Sequence, residues 1–347
     1  MTQSCRIIML TLVCLFADSA LAAGPGAELH GGFINPGFHE KPEWFKNSFL
    51  DLREDVAEAT AEGKRIMLFF YQDGCPYCAR LLNVNFSQKA LVEKTRQRFV
   101  VIALNIWGDR EVTDLQGRTL TEKDLASNLK VMYTPTLIFL DPNGVNVLRL
   151  NGYYPPHQFE AALDYAAGLH DAQFTFRDHL HKVKPEPASG VLHRSPEQLP
   201  LPLDLSSREV SAKPLLVLME QKECRSCDEL HGDILRRPTI AASLEQFDVA
   251  LVDVWSNDAL TTPEGELLKA VDWAKRKQVY YTPSLLFFDR QGREVFRTDA
   301  MLKAFHVHAA MDYVLSEAYL EQPNFQRFIQ TRADTMRAQG MEPDLMQ

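Results

Sequence analysis

Two kinds of apolar pattern alternate along the chain. From Pro42 to Glu62, the residues Phe45, Phe49, Leu52, Val56 and Ala59 recur at helical spacing, and Gly63 closes the run. Ile66 to Tyr71 is instead a continuous apolar stretch of strand length, followed by a turn through Gly74. The pattern then predicts a helix from Cys78 to about Gln97, a buried strand Phe99 to Ile106 and a polar, hairpin-like excursion from Gly108 to Gly117. A helix follows from about Thr121 to Lys130. Pro135 opens a strand, Thr136 to Leu140, and the turn Asp141-Pro142-Asn143-Gly144 joins it to a strand Val145 to Leu150. A last helix runs from about Pro156 to Gly168, so the order is αβαβαββα.

The second half repeats the first. Cys75-Pro76-Tyr77-Cys78 meets Cys224-Arg225-Ser226-Cys227 at an offset of 149, and the offset is 148 thereafter. Trp107 meets Trp255, Tyr133-Thr134-Pro135 meets Tyr281-Thr282-Pro283, and Gly144 meets Gly292. The repeating unit is domain-sized, which predicts a tandem duplication and not a solenoid. The second unit shows no first helix before Lys213, and the proline-bearing stretch 183–212 reads as a linker that wraps rather than folds.

Residues 1–22 stand apart. Arg6, the apolar run Ile7 to Phe16 and the small-x-small Ala20-Leu21-Ala22 predict a cleaved secretory signal. The remainder holds no apolar run long enough for a membrane span, which argues against an integral membrane protein. A net charge of -9 with no basic stripe argues against nucleic acid as a partner. With 46% hydrophobic and 24% charged residues the chain is globular, and its 347 residues suit two ordinary domains.

Cys5 and Cys14 fall within the expected signal, leaving Cys75, Cys78, Cys224 and Cys227 as two C-x-x-C pairs. Exported proteins use cysteine mainly for widely spaced bridges, and here nothing else is available to bridge to, so the pairs read as chemistry. Each pair begins where a strand ends and a helix starts. Free N–H groups and the helix dipole favour a thiolate at Cys75 and Cys224, and Cys78 and Cys227, one turn inward, can then resolve a mixed disulfide. Three further features stay open at this level. His231 places a third metal-ligand type one turn after Cys227, with a solvated histidine as the plainer reading. Trp107 and Trp255 read as paired core or site-edge aromatics. The segments Phe174-Thr175-Phe176-Arg177 and Phe325-Gln326-Arg327-Phe328 read as local core sealing.

The signal, Gly74-Cys75-Pro76-Tyr77-Cys78, the long gap to Thr134-Pro135 and the Phe-containing tail resemble the SoxW-type periplasmic thioredoxins, over residues 42–182 and 213–335. The resemblance implies an α/β protein of two tandem thioredoxin-like domains, each a central mixed sheet flanked by helices, with a tail reaching residue 347. It implies Cys75, Cys78, Cys224 and Cys227 as catalytic, and Thr134-Pro135 and Thr282-Pro283 as cis-proline dipeptides that pair with an extended substrate. Pro76, Tyr77 and Arg225 would tune the redox potentials. No cofactor or metal is expected beyond the cysteines. The implied function is an exported, periplasmic (or secreted) reductant of protein or small-thiol disulfides, fed by a membrane thiol-electron transporter. A thiol oxidase or disulfide isomerase, and a metal-handling binding protein, are the alternatives. The chain departs from thioredoxin proper in three ways. Gly74 replaces a tryptophan, Pro-Tyr is the glutaredoxin dipeptide, and Phe69 and Leu218 stand where a buried acid precedes the first cysteine by six residues. Two unlike dithiols on one chain also predict unequal potentials and internal electron transfer, with two independent sites as the alternative.

Overall fold

The computed structural model describes residues 39–169, 175–182, 187–206, 213–300, 302–341, 343 and 344. The expected signal, residues 1–22, and Phe174 lie outside them. The first repeat runs α1 (Leu52–Ala61), β1 (Arg65–Tyr71), α2 (Pro76–Arg80), α3 (Lys89–Arg98), β2 (Phe99–Asn105), β3 (Glu111–Thr113), β4 (Thr119–Thr121), α4 (Glu122–Asn128), β5 (Thr136–Leu140), β6 (Asn146–Asn151), α5 (Pro156–Ala166) and α6 (Phe176–His181). The second runs β7 (Leu215–Glu220), α7 (Arg225–Gly232), α8 (Pro238–Leu244), β8 (Asp248–Asp253), β9 (Ala259–Thr261), β10 (Leu267–Lys269), α9 (Ala270–Arg276), β11 (Ser284–Phe288), β12 (Glu294–Thr298), α10 (Ala304–Leu315) and α11 (Phe325–Ala338).

Each repeat forms a four-stranded mixed sheet, ordered β2-β1-β5-β6 and β8-β7-β11-β12. The central strand β1 pairs parallel with β2 and antiparallel with β5, and β7 pairs with β8 and β11 in the same way. Apolar clusters cover both faces of each sheet. This is why β1, β5, β7 and β11 are continuous apolar runs and not alternating ones.

The sequence pattern and the structure differ at two helices. The first helix begins at Leu52, capped by Asp51, whose side chain accepts from the Arg53 N–H at 3.0 Å, and not at Pro42. The helix expected from Cys78 to Gln97 breaks into α2, a π-helical turn Leu81–Asn85, and α3. The polar excursion is a two-stranded hairpin, β3–β4, in keeping with its hairpin-like pattern, and it runs on past Gly117 to Thr121.

The described part of the 183–212 linker is packed, not loose. Leu203 and Leu205 are buried, and the backbone bridges Asp204 to Thr261. The Thr261 N–H donates to Leu203 O at 2.9 Å, as Thr113 N–H donates to Leu50 O at 2.8 Å in the first repeat. Leu203-Asp204-Leu205 therefore takes the place that Leu50-Asp51-Leu52 holds.

The two repeats meet about a pseudo-two-fold axis. Asn151 Nδ2 donates to Asp299 Oδ2 at 3.1 Å, and these residues are sequence counterparts. So are Gly152 and Ala300, where a Cβ added to Gly152 would lie 2.3 Å from the Ala300 Cβ. Equivalent positions touch each other only where an isologous axis passes. Gly152, at φ 79°, meets both the close approach and the left-handed backbone that favour glycine there.

Candidate functional site

β1 ends at Tyr71 and the chain turns through Gly74 into α2, which puts Cys75 at the N-cap. Its Sγ accepts from the Cys78 N–H at 3.1 Å, and as a thiol it donates to the Thr134 carbonyl at 3.1 Å. Thr134-Pro135 is a cis peptide, so the expected dipeptide does flank the dithiol. Burial alone would push the Cys75 thiol up. Hydrogen bonds offered to its thiolate by the Cys78 and Thr134 side chains and by the Cys78 and Tyr77 N–H groups outweigh that and hold it below the ordinary thiol value. Burial and the facing Cys75 push Cys78 well above it. Of the two thiols, Cys75 is therefore the more readily ionised and Cys78 the less. With both cysteines reduced, iodoacetamide should modify Cys75 with a pH midpoint below that of an ordinary thiol, while Cys78 stays unmodified at neutral pH. Peptide-resolved mass spectrometry across pH checks this, and a shared midpoint would refute the assignment.

The second site repeats the geometry. Cys224 caps α7, with the Cys227 N–H 3.0 Å from its Sγ, and Thr282-Pro283 is again cis. Here the two cysteines form a disulfide, with Cα atoms 5.2 Å apart. Cys75 and Cys78 are free thiols.

Each site is roofed by the other repeat. Over the first, Gln72 Nε2 donates to Gln326 Oε1 at 2.9 Å, and Gln326 Nε2 donates to Met132 O at 3.1 Å. A cavity of about 150 Å³ beside Cys75 is walled by Leu302, His306, Ile329 and Ala333. Tyr77 lies beneath this roof. Its hydroxyl accepts from the Lys303 N–H at 2.8 Å, its ring meets the His306 ring edge-on at 5.0 Å, and burial raises its pKa. Burial also pulls the His306 imidazole down to about 4, so it is neutral at pH 7. Over the second site, α6 contributes Arg177, Leu180 and His181 to a cavity of about 190 Å³ that also holds Cys224 and Arg225.

Trp107 and Trp255 stand at the edges of the two sites. Their indole N–H groups donate to Gln72 and Gln221, each at 2.8 Å. A guanidinium from the other repeat's tail covers each ring, Arg327 at 4.7 Å and Arg177 at 4.5 Å. Phe176 and Phe325 do seal cores, each in its own repeat, as read from the sequence. The polar residues beside them make the crossing, which the sequence reading missed. Gln72 and Gln221 were also missed, and their identity at equivalent positions before each pair was the available signal.

His231 does not join the cysteines. Its Nε2 is 2.7 Å from Oε1 of the fully buried Glu220, and its ring stacks on His193 at 4.7 Å. Among the described residues no group of three or more His, Cys, Asp or Glu side chains is placed to hold a metal ion. Neither cavity is walled by the other site's cysteines.

Comparison with known proteins agrees with this architecture. The Anterior gradient protein 2-B of Xenopus laevis is 28% identical over 126 residues, which is 36% of this chain and 65% of the relative. The chain thus spans just under two thirds of that relative's length. A thioredoxin-fold protein from Helicobacter pylori is 26% identical, covering 34% of this chain and 80% of that one, with a TM-score of 0.30. The periplasmic thioredoxin SoxS from Paracoccus pantotrophus, in its reduced form, is also 26% identical, covering 30% and 97%, with a TM-score of 0.22. The Thioredoxin-like domain family matches twice, over residues 52–167 and 201–315. With more than half its length matched and two such folds built around two C-x-x-C pairs, the chain belongs to the thioredoxin-like family as a tandem of two domains.

Proposed function

We propose that the protein is an exported, periplasmic thiol–disulfide oxidoreductase that reduces disulfides at Cys75/Cys78 and Cys224/Cys227. The observation that carries this is the asymmetry within the first pair: Cys75 is held below the ordinary thiol value and Cys78 well above it, beside a cis Thr134-Pro135. The Cys75 thiolate attacks a substrate S–S bond, which breaks and expels one thiolate. Cys78 gives up its proton and attacks Cys75 Sγ, releasing the second thiol. The substrate gains two electrons and the protein gains a Cys75–Cys78 disulfide, which an external dithiol such as a membrane thiol transporter re-reduces. Thr134 and Thr282 would offer backbone to the substrate, and Pro76, Tyr77 and Arg225 would set the potentials.

In the purified full chain, Cys78→Ser should accumulate mixed disulfides through Cys75, and Cys75→Ser should not. The reverse pattern would exchange the two roles. A Cys75/Cys78 potential above that of the glutathione couple would replace the reductant with an oxidase.

A further inference from the structure

Arg177 is 4% exposed, yet two of its three guanidinium nitrogens have no acceptor among the described residues. Nη1 donates to Val254 O at 3.2 Å and the plane lies over Trp255, while Nε and Nη2 are unmatched. The nearest carboxylate in sequence, Asp178, is occupied by Thr175, whose N–H and hydroxyl donate to it at 3.1 and 2.6 Å. A buried guanidinium with idle donors is costly, and the donors that are idle form one side of the fork that matches a carboxylate.

Those donors belong to a residue lining the cavity of about 190 Å³ that holds Cys224. Gln158 lines it too, and its buried Oε1 lacks a donor. The lining also carries the half-buried His157 and the exposed Arg225 and His181, against one acidic residue, the exposed Glu223. A cation fork, a bare amide acceptor and a redox sulfur therefore face one small space. We infer that this cavity binds low-molecular-weight thiols and disulfides of the amino-acid or peptide type, with Arg177 on a carboxylate and Gln158 on an amide or ammonium N–H. This rests on thiol–disulfide exchange at Cys224/Cys227. The first site is built differently: Arg327 is exposed, Arg337 pairs with Asp334 at 3.0 Å, and both ends of Gln326 are satisfied within the protein.

In the exchange, the Cys224 thiolate attacks the bound disulfide RS–SR and its S–S bond breaks. One RS⁻ leaves and takes up a proton. Cys227 loses its proton and attacks Cys224 Sγ, the second RS⁻ departs, and the Cys224–Cys227 disulfide closes as RS–SR is reduced by two electrons. Two equivalents of RSH run the same steps backwards.

The test reduces the full chain, adds oxidised glutathione or the neutral bis(2-hydroxyethyl) disulfide, and follows Cys224/Cys227 by quenched alkylation and mass spectrometry. The rate ratio of glutathione disulfide to neutral disulfide should be about tenfold or more, as a charge-assisted fork implies, and should fall towards one in Arg177→Gln. Arg177→Lys, which keeps the charge without the fork, should restore part of it. A ratio near one in the unaltered chain, or one that survives Arg177→Gln, overturns the inference. Because Arg177 also braces the tail, a second measurement uses the unaltered chain alone. S-methylglutathione, which has the carboxylates but no exchangeable sulfur, should slow exchange with the neutral disulfide competitively, and no slowing at millimolar concentration overturns the inference as well. If neither disulfide exchanges with this pair, the activity on which the site rests is what fails.

Discussion

Phe325→Ala should make Cys75 react with alkylating reagents about a hundredfold faster than in the unaltered chain. Cys75 is 3% exposed, so a reagent reaches it only when its cover opens. That cover is α11, held over the first site by the Gln326 bonds and by Ile329 and Ala333. Phe325 is fully buried at the start of the helix, with ring centroids 4.5 Å from Phe296, 5.1 Å from Tyr313 and 5.8 Å from Tyr133. Truncating a buried phenylalanine costs about 3–5 kcal/mol, and each 1.4 kcal/mol lost from a local opening is about tenfold in the open population. Some of that loss falls on the second domain's core rather than on the cover, which brings the expectation down to about a hundredfold. Peptide-resolved alkylation kinetics on the chain with Cys75 reduced reads it directly. If the second domain loses stability while Cys75 reacts at the original rate, α11 is not what shields the nucleophile.

Both domains were legible in the sequence because their signals are local. A strand buried on both faces writes a continuous apolar run, as Leu215–Met219 does, and a strand-to-helix turn places its cysteines without long-range help. The break at Leu81–Asn85 was not legible, since Leu81, Leu82, Phe86 and Leu91 keep a helix-like apolar spacing across it. What ends the helix is tertiary: Asn85 is wholly buried and its Nδ2 donates to Tyr154 O at 3.0 Å. The same limit hid the roofs over the sites. Phe176 and Phe325 announce that each tail seals a core, but nothing in either tail states that Arg177 and Arg327 will lie on tryptophans of the opposite repeat. That follows from the axis at Asn151 and Asp299, which has no short-range signature. Tyr133 and Tyr281 carry the same information in hindsight. Each belongs by sequence to one domain and packs into the other's core, Tyr133 against Phe296 and Phe325 and Tyr281 against Tyr154 at 5.1 Å. The linker between the repeats is likewise pinned by two leucines, so the two dithiols are not swinging past each other on a loose tether. Electron transfer between them would have to pass between two separate cavities, neither walled by the other site's cysteines.

His231→Ala should destabilise the second domain by about 3 kcal/mol or more, the cost of leaving a buried carboxylate without its partner. Glu220 is wholly buried at the end of β7. One carboxylate oxygen meets His231 Nε2 at 2.7 Å, and the other has no partner among the described residues. Among the described residues the imidazole is therefore the only side chain that answers this acid, and its ring also stacks on His193, whose Nε2 is 2.7 Å from Asp228 on α7. The reciprocal change behaves differently. Glu220→Leu removes the charge together with the need for a partner, and His231, 13% exposed at its side chain, can still reach water. It should cost clearly less than His231→Ala, and the double variant Glu220→Leu/His231→Leu should recover most of the loss, because apolar packing replaces a buried pair at little expense. Urea denaturation of the oxidised chain, following the second domain's transition, gives the three values. His193 loses its stacking partner in His231→Ala, so amide exchange should also quicken in the adjoining segment near Ser189 and His193, whose Ser189 N–H is held by Asp228 at 2.8 Å. Equal costs for the two single changes would mean that the carboxylate finds water in the folded state. The Glu220–His231 dyad would then be a surface pair and not a buried charge held by one histidine.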